Sequence, residues 1–300
     1  MDAQPPAEPV TWDAEAIGAP FSPWRDSLLR FASNSSAMVG FVIVLTLCLL
    51  AILAPWIALH PFAEQDLMVS LEPPLTAAYP LGTDLFGRDI FSRLVFGARV
   101  SLQVGVIVTS VSMMIGITVG CLSGYHGGRV DAVLSNLINL VYGFPLILVA
   151  LLFVAVVGPG LGGAMLATGL VTWAGFARIV RGEVISLRDR EFVLAARALG
   201  RGNAWIIVRH ILPNIIGPVL VIASFTMAVA VIIETSLSFL GLGAQPPTPS
   251  WGSMLNEGRS VIYRAWWLAT FPGIAIATLV LGFNLLGDGL RDVLDPRMRT

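Results

Sequence analysis

The sequence predicts an all-α, polytopic membrane protein with six transmembrane helices. Three observations carry this. Of the 300 residues, 56% are hydrophobic and only 12% charged, with a mean hydropathy of +0.80, far from the balance of a soluble domain. Residues 31–63 and 132–177 contain no Asp, Glu, Lys or Arg at all. About 20 apolar residues cross a bilayer core, so the second run is too long for one crossing and has to hold two. Finally, the arginines fall unevenly between alternate connections, as in a chain oriented by its basic loops.

Residues 1–30 are rich in Pro and Ala, with mixed charge and no apolar period, and read as a disordered tail. They lack the basic start and short apolar core of a signal peptide. The first span lies within 31–63, centred on 37–59, with Trp56 as an interfacial anchor. Residues 64–99 are polar, and Pro73, Pro74 and a Gly82 turn argue for a loop. Within it Ile90, Phe91, Leu94 and Val95 could make a short helix lying at the interface, with Arg88 and Arg93 snorkelling.

The second span is 100–124, where Gly105, Gly116 and Gly120 with Ser110 and Ser112 favour close helix packing in lipid. A Gly-rich turn follows over 125–131. The Gly-rich stretch 158–163 divides the next apolar run into spans three and four, and Pro145 predicts a kink in span three. Span five is 215–240 and span six 265–287, separated by a loop stiffened by Pro246, Pro247 and Pro249. Trp251, Tyr263, Trp266 and Trp267 there read as an aromatic belt.

Composition excludes several chemistries. All 18 basic residues are Arg, so the chain holds no P-loop lysine and no Schiff-base lysine. Cys48 and Cys121 sit in apolar runs without metal or redox spacing, and the three histidines are scattered. No catalytic residue, cofactor or metal is expected, and a net charge of −1 gives no reason to expect nucleic acid.

The most charged stretch, 178–214, separates two pairs of spans. Asp189 can cap a helix in which Phe192, Ala195, Ala196 and Leu199 follow i, i+3, i+4, i+7 spacing and form one small apolar face. Gly200 stands where a left-handed stop belongs, Asn203 can cap a second run, and Pro213 marks a kink or a start. On these residues alone the helix could dock into a groove of another protein or lie on the membrane. Glu234, near the far end of span five, is either a translocation-path residue or a carboxylate bonded to Thr235, Ser236 or Ser238.

The segment LAARALG (194–200) followed nine residues after Gly200 by HILP (210–213) resembles the EAA loop of ABC importer permeases. Ala195, Ala196, Gly200, Leu212 and Pro213 match, while Leu194 replaces the Glu and His210 the Ile. LGTDLFGRDIFSRLVFGARVSL (81–102), ETSLSFLGLGAQPPTPSWG (234–252) and GDGLRDVLDPR (287–297) resemble the second permease subunit of dipeptide/oligopeptide importers, a family with nickel, glutathione and opine relatives.

The resemblance implies the type I ABC importer permease fold. It also implies a heterodimer with a second homologous permease, two cytoplasmic ATP-binding subunits that carry the hydrolysis, and an extracytoplasmic (periplasmic) peptide-binding protein. Phe192, Ala195, Ala196, Leu199, Gly200, Leu212 and Pro213 would then form the ATPase-coupling site.

With six spans, 13 of the 18 arginines lie on the side of both termini and of 178–214, which places that side in the cytoplasm; the membrane implied by the resemblance is a bacterial inner (plasma) membrane. The expected organisation is a cytoplasmic tail (1–30), a first span (31–63) and a periplasmic loop with an interfacial helix (64–99). A five-helix core (100–288) containing the coupling loop 178–214 and a cytoplasmic tail (289–300) complete it. A stand-alone secondary transporter is the weaker alternative, because the spans carry almost no charge for ion coupling.

Overall fold

The computed structural model describes residues 29–294. Of the tail expected over 1–30, residues 1–28 lie outside them, as do the last six residues, while 29 and 30 are helical. The structure is helical: α1 (Ser35–Ile57), α2 (Ile90–His126), α3 (Gly128–Tyr142), α4 (Leu146–Val157), α5 (Leu161–Arg188), α6 (Glu191–Ala198), α7 (Asn203–Phe239), α8 (Trp251–Arg259) and α9 (Trp267–Leu294). Helices α1, α2, α5, α7 and α9 are each long and apolar enough to cross a membrane, and α3 with α4 makes a sixth crossing if the bent pair is one span.

Local sequence explains where these helices begin. The Asn34 side chain accepts the Ala37 amide hydrogen at 3.1 Å and caps α1; Asp89 does the same for α2 through Phe91 and Ser92. Helix α7 starts four residues before a π-helical turn, Ile207–Ile211, which leads into Pro213. A proline ring crowds the carbonyl four residues back, and a widened turn relieves it.

Packing between spans follows small residues. On α2, Gly116, Gly120 and Gly124 form a seam against α5. A Cβ at Gly120 would lie 2.8 Å from the Ala177 carbonyl oxygen, and one at Gly124 2.8 Å from that of Arg181. Ser112 donates to the Gly169 carbonyl at 3.1 Å in the same interface. Gly105 and Ser110 play no such part: the first makes ordinary contact with Met227, and the second is exposed.

Several sequence expectations are corrected. Residues 90–99 are no separate interfacial helix but the first turns of α2, because Asp89 supplies a strong cap directly ahead of them. The kink expected at Pro145 is a full break: Gly143, Phe144 and Pro145 interrupt span three, and α3 and α4 meet at 89°. Residues 178–188 continue α5 and 203–214 belong to α7, so the connection expected over 178–214 shrinks to 189–202. Residues 288–294 extend α9 rather than starting a tail.

The far face, opposite α6, is closed by a buried ionic clamp. Arg88 and Arg93 do not snorkel. Both are buried, and both bind Asp84 and Glu257: Arg88 Nε reaches Asp84 at 2.6 Å and its Nη2 reaches Glu257 at 2.9 Å, while Arg93 grips Glu257 at 2.7 and 3.1 Å and also bonds Asp84. Trp251 and Trp267 are likewise not part of a lipid-facing belt. Their indole N–H groups donate to Leu94 O (2.9 Å) and Thr83 O (3.1 Å), pinning α8 and α9 to the 81–94 segment. Tyr263 and Trp266 do stay exposed, as does Trp56 at the end of α1.

Candidate coupling surface

The 189–202 connection packs against the C-terminal ends of α2 and α5 and the N-terminal end of α7. Asp189 is the closing residue of α5, not a cap for α6; Arg190 occupies the cap position and offers no side-chain bond. Glu191 in the first turn complements the helix dipole instead. The helix ends in a full Schellman motif. Arg201 N–H donates to Ala196 O (3.1 Å), Gly200 N–H to Arg197 O (3.0 Å), and Gly200 has φ +74°. The expectation that Gly200 holds a left-handed stop is met.

The two faces of α6 differ from the expected stripe. Val193 and Ala196 turn inward and pack with Tyr125, Val184, Ile206 and Ile211. Phe192, Ala195 and Leu199 turn outward, with Leu199 80% exposed. Ala196 therefore does not share a face with Ala195. An eight-residue helix lying on a core buries only a narrow line, and the β-branched Val193 with the small Ala196 three residues on fills it. Leu212 is half-buried against the same core, and Pro213 is exposed at the start of the Leu212–Phe239 segment.

Neighbouring side chains stiffen the arrangement. Asn203 does not cap α7, whose cap is Gly202; its side-chain oxygen accepts from Tyr125 Oη at 3.2 Å. Arg188 donates to Gly124 O at 3.0 Å, and Arg181 grips Asp131 through two bonds of 2.6 and 2.7 Å. Beside the outward face, the His210 ring lies 5.0 Å from Trp205 and 6.0 Å from Phe192, and Arg201 sits over Trp205 at 4.8 Å. The sequence reading missed Val193 and Trp205. The available signal was a Trp five residues after a helix-stopping glycine, in a stretch otherwise rich in Arg.

Glu234 lies elsewhere, in the last turns of α7. It is fully buried; Ser238 Oγ donates to its Oε1 at 2.6 Å and accepts from Ala244 N–H at 3.1 Å, while Oε2 has no partner among the described residues. It is not among the residues lining the cleft of about 170 Å³ beside the α3–α4 break, where Tyr142, Leu146, Thr172, Phe225 and Thr226 meet. Of the bonds expected for it, the one to Ser238 forms.

A short helix presenting an apolar strip, fixed at both ends and set between two long spans, suits the transfer of motion between a soluble partner and a bundle. Comparison with known proteins shows the family. Residues 116–300 match the family described as "Binding-protein-dependent transport system inner membrane component". The chain belongs to that family. Residues 22–74 match a second model, the N-terminal TM domain of oligopeptide transport permease C.

Among curated proteins, the dipeptide transport system permease protein DppC of Alkalihalophilus pseudofirmus is 44% identical over 279 residues, covering 93% of this chain and 91% of that protein. The oligopeptide transport system permease protein OppC of Bacillus subtilis is 38% identical over 295 residues, covering 98% and 96%. Among solved structures, a chain of the MetNI methionine ABC transporter in an inward-facing conformation superposes with a TM-score of 0.57 at 18% identity, over 69% of this chain and 98% of that one. The fold is thus that of a type I ABC importer permease, and the protein is a multi-pass membrane permease.

Proposed function

We propose that this chain forms half of the translocation pathway of an ABC importer for di- and oligopeptides. The observation that carries the cargo is the near full-length likeness to the dipeptide and oligopeptide permeases. On this reading the chain pairs with a second, homologous permease. ATP is hydrolysed on two separate cytoplasmic subunits, and an extracytoplasmic binding protein delivers peptide. Both termini and α6 face the cytoplasm of a bacterial inner membrane.

Phe192, Ala195 and Leu199 form the strip that the ATPase grips. Gly200 sets the angle of that strip, and the inward pair Val193 and Ala196, with Leu212, passes its displacement to α2, α5 and α7. No covalent step is required of this chain, only two arrangements of the spans with different affinities for the ATPase's conformations. Pro213 and the π-helical turn before it give α7 an irregular first part through which such a displacement enters the long helix.

The test is uptake by proteoliposomes holding both permeases, the ATPases and the binding protein. A di- or tripeptide should accumulate only with ATP inside the compartment of the ATPases. Accumulation of glutathione or nickel in preference to peptides would reassign the cargo. Transport driven by an ion gradient without ATP would refute the importer reading.

A further inference from the structure

We propose that the cleft beside the α3–α4 break is a subsite for one neutral, apolar side chain of the transported peptide. The inference rests on the importer reading above and adds a selection made within the permease itself, apart from any made by the binding protein.

The cleft lies where span three is broken. Leu146 and Ile147, at the start of α4, leave their amide hydrogens without acceptors among the described residues. The elbow has 15 helical residues on one side and 12 on the other, so it is remote from the far end of either helix. Irregular backbone at membrane depth survives only against protein or beside a water-filled cavity. Tyr142 and Leu146, which flank the break, both line the cleft. On this geometry the cleft opens to water and cargo rather than to lipid tails, as broken helices do in other transporters.

The walls decide what it takes. Its volume is about 170 Å³, close to that of an apolar cavity of about 150 Å³ that accepts benzene. Val171, Ile222, Phe225 and Val229 supply apolar surface, and among the described residues no charged side chain lines it. Two threonines in the wall are already committed: Thr172 Oγ1 donates to Thr168 O and Thr226 Oγ1 to Ile222 O, each at 2.8 Å. The wall therefore asks its occupant for no hydrogen bond. A charged side chain would enter unpaired, at a cost, whereas one the size of leucine or phenylalanine gains by burial.

The Tyr142 wall is also held in place. The Arg178 guanidinium of α5 lies 3.9 Å from the centre of the Tyr142 ring and donates to Asn139 Oδ1 at 3.2 Å. Gly175 gives the phenol its room, since a Cβ there would stand 3.2 Å from Tyr142 Oη. Ile138 is the one fully buried side chain of α3, so these contacts from α5 carry much of the positioning.

The experiment uses the complete importer in proteoliposomes and lets labelled alanyl-leucine and alanylglycine compete for ATP-driven uptake. The variant is Val229→Trp. Val229 is 37% exposed, so the larger ring has open space to enter and the core is not overpacked. One binding protein serves wild type and variant, and its own selectivity cancels from the comparison. The ratio of leucine peptide to glycine peptide taken up should fall about tenfold, the scale of one apolar side chain losing its pocket. Alanyl-photoleucine, whose side chain carries a diazirine, reads the site directly in the wild type. Irradiation during turnover should place adducts within 141–146, 171–175 or 222–229.

An unchanged ratio overturns the proposal, and so does the absence of adducts from those segments; continued ATP-driven uptake would leave the importer reading standing in either case. Labelling of the same segments during turnover by a phospholipid with a diazirine in its acyl chain also overturns it, and gives the cleft to lipid. If neither peptide is taken up with ATP, the peptide reading itself falls, and this subsite with it.

Discussion

Ala195 and Ala196 are adjacent in sequence, yet a tryptophan at the first should weaken docking and one at the second should destabilise the fold. Ala196 is 6% exposed and wedged among Val193, Tyr125, Ile206 and Ile211. Filling that space with an indole overpacks a closed cluster, at about 1–3 kcal/mol or more. The penalty falls on the permease itself, as a lower melting temperature of the purified chain. Ala195 points out of the bundle, where an added ring meets nothing within the chain; surface changes of this kind stay within about 0.5 kcal/mol.

If the ATPase closes over the strip of Phe192, Ala195 and Leu199, the same 1–3 kcal/mol reappears for Ala195→Trp as a loss of complex, roughly 5- to 150-fold in affinity. Two measurements separate the cases: thermal unfolding of the isolated permease in detergent, and capture of the ATPase on immobilised permease. Ala195→Trp should melt like wild type and fail to hold the ATPase, whereas Ala196→Trp should melt early. Full ATPase capture and normal uptake by Ala195→Trp would refute the assignment of this strip.

Arg93→Met should remove up to about 3–5 kcal/mol of stability, because it leaves the buried Asp84 and part-buried Glu257 carboxylates with Arg88 as the one cation between them; chemical denaturation of the purified permease reads it. The clamp also predicts acid sensitivity. Burial raises the Glu257 carboxyl, but hydrogen bonds and charge from Arg93 and then Arg88 outweigh it and hold the group below its ordinary value of 4.5. Its contribution is therefore whole above pH 4.5 and lost as pH falls below it; melting curves from pH 6 to pH 3 should show the loss, reduced in Glu257→Gln. Glu234→Gln should fold and assemble normally, since an amide oxygen still accepts from Ser238, whereas Glu234→Ala should cost about 1–3 kcal/mol by stranding that bond and loosening residues 240–244. Limited proteolysis at that loop distinguishes the two variants.

What could be read from the sequence was local. Uncharged runs mark the spans because nothing else explains 46 consecutive residues without a charge, from 132 to 177. Gly200 declared its own conformation, since a left-handed stop needs what only glycine supplies cheaply. The clamp could not be read: Arg88 and Arg93 meet Glu257 across 169 and 164 residues, and a lone arginine beside a span looks the same whether it snorkels or pairs. Trp251 and Trp267 mislead for the same reason, because an indole suits a membrane interface and a buried bond to a distant carbonyl equally well. The faces of α6 were misjudged because i, i+3, i+4 spacing says which residues are neighbours, not which side the core is on.

The break between α3 and α4 bears on how such a protein can be made. With Gly143, Phe144 and Pro145 interrupting the ladder, the amide hydrogens of Leu146 and Ile147 find no backbone acceptor among the described residues, and no side chain caps them. If this elbow lies at the depth of the hydrocarbon, nothing there substitutes, and each bare amide costs several kcal/mol. A solitary copy in a bilayer would have to thin the lipid around this elbow, admit water to it, or shed the span. Once the elbow is shielded within an assembly, that burden vanishes. On the proposed pairing with a second permease, newly inserted chains lacking that companion should thus be the ones a membrane protease removes first.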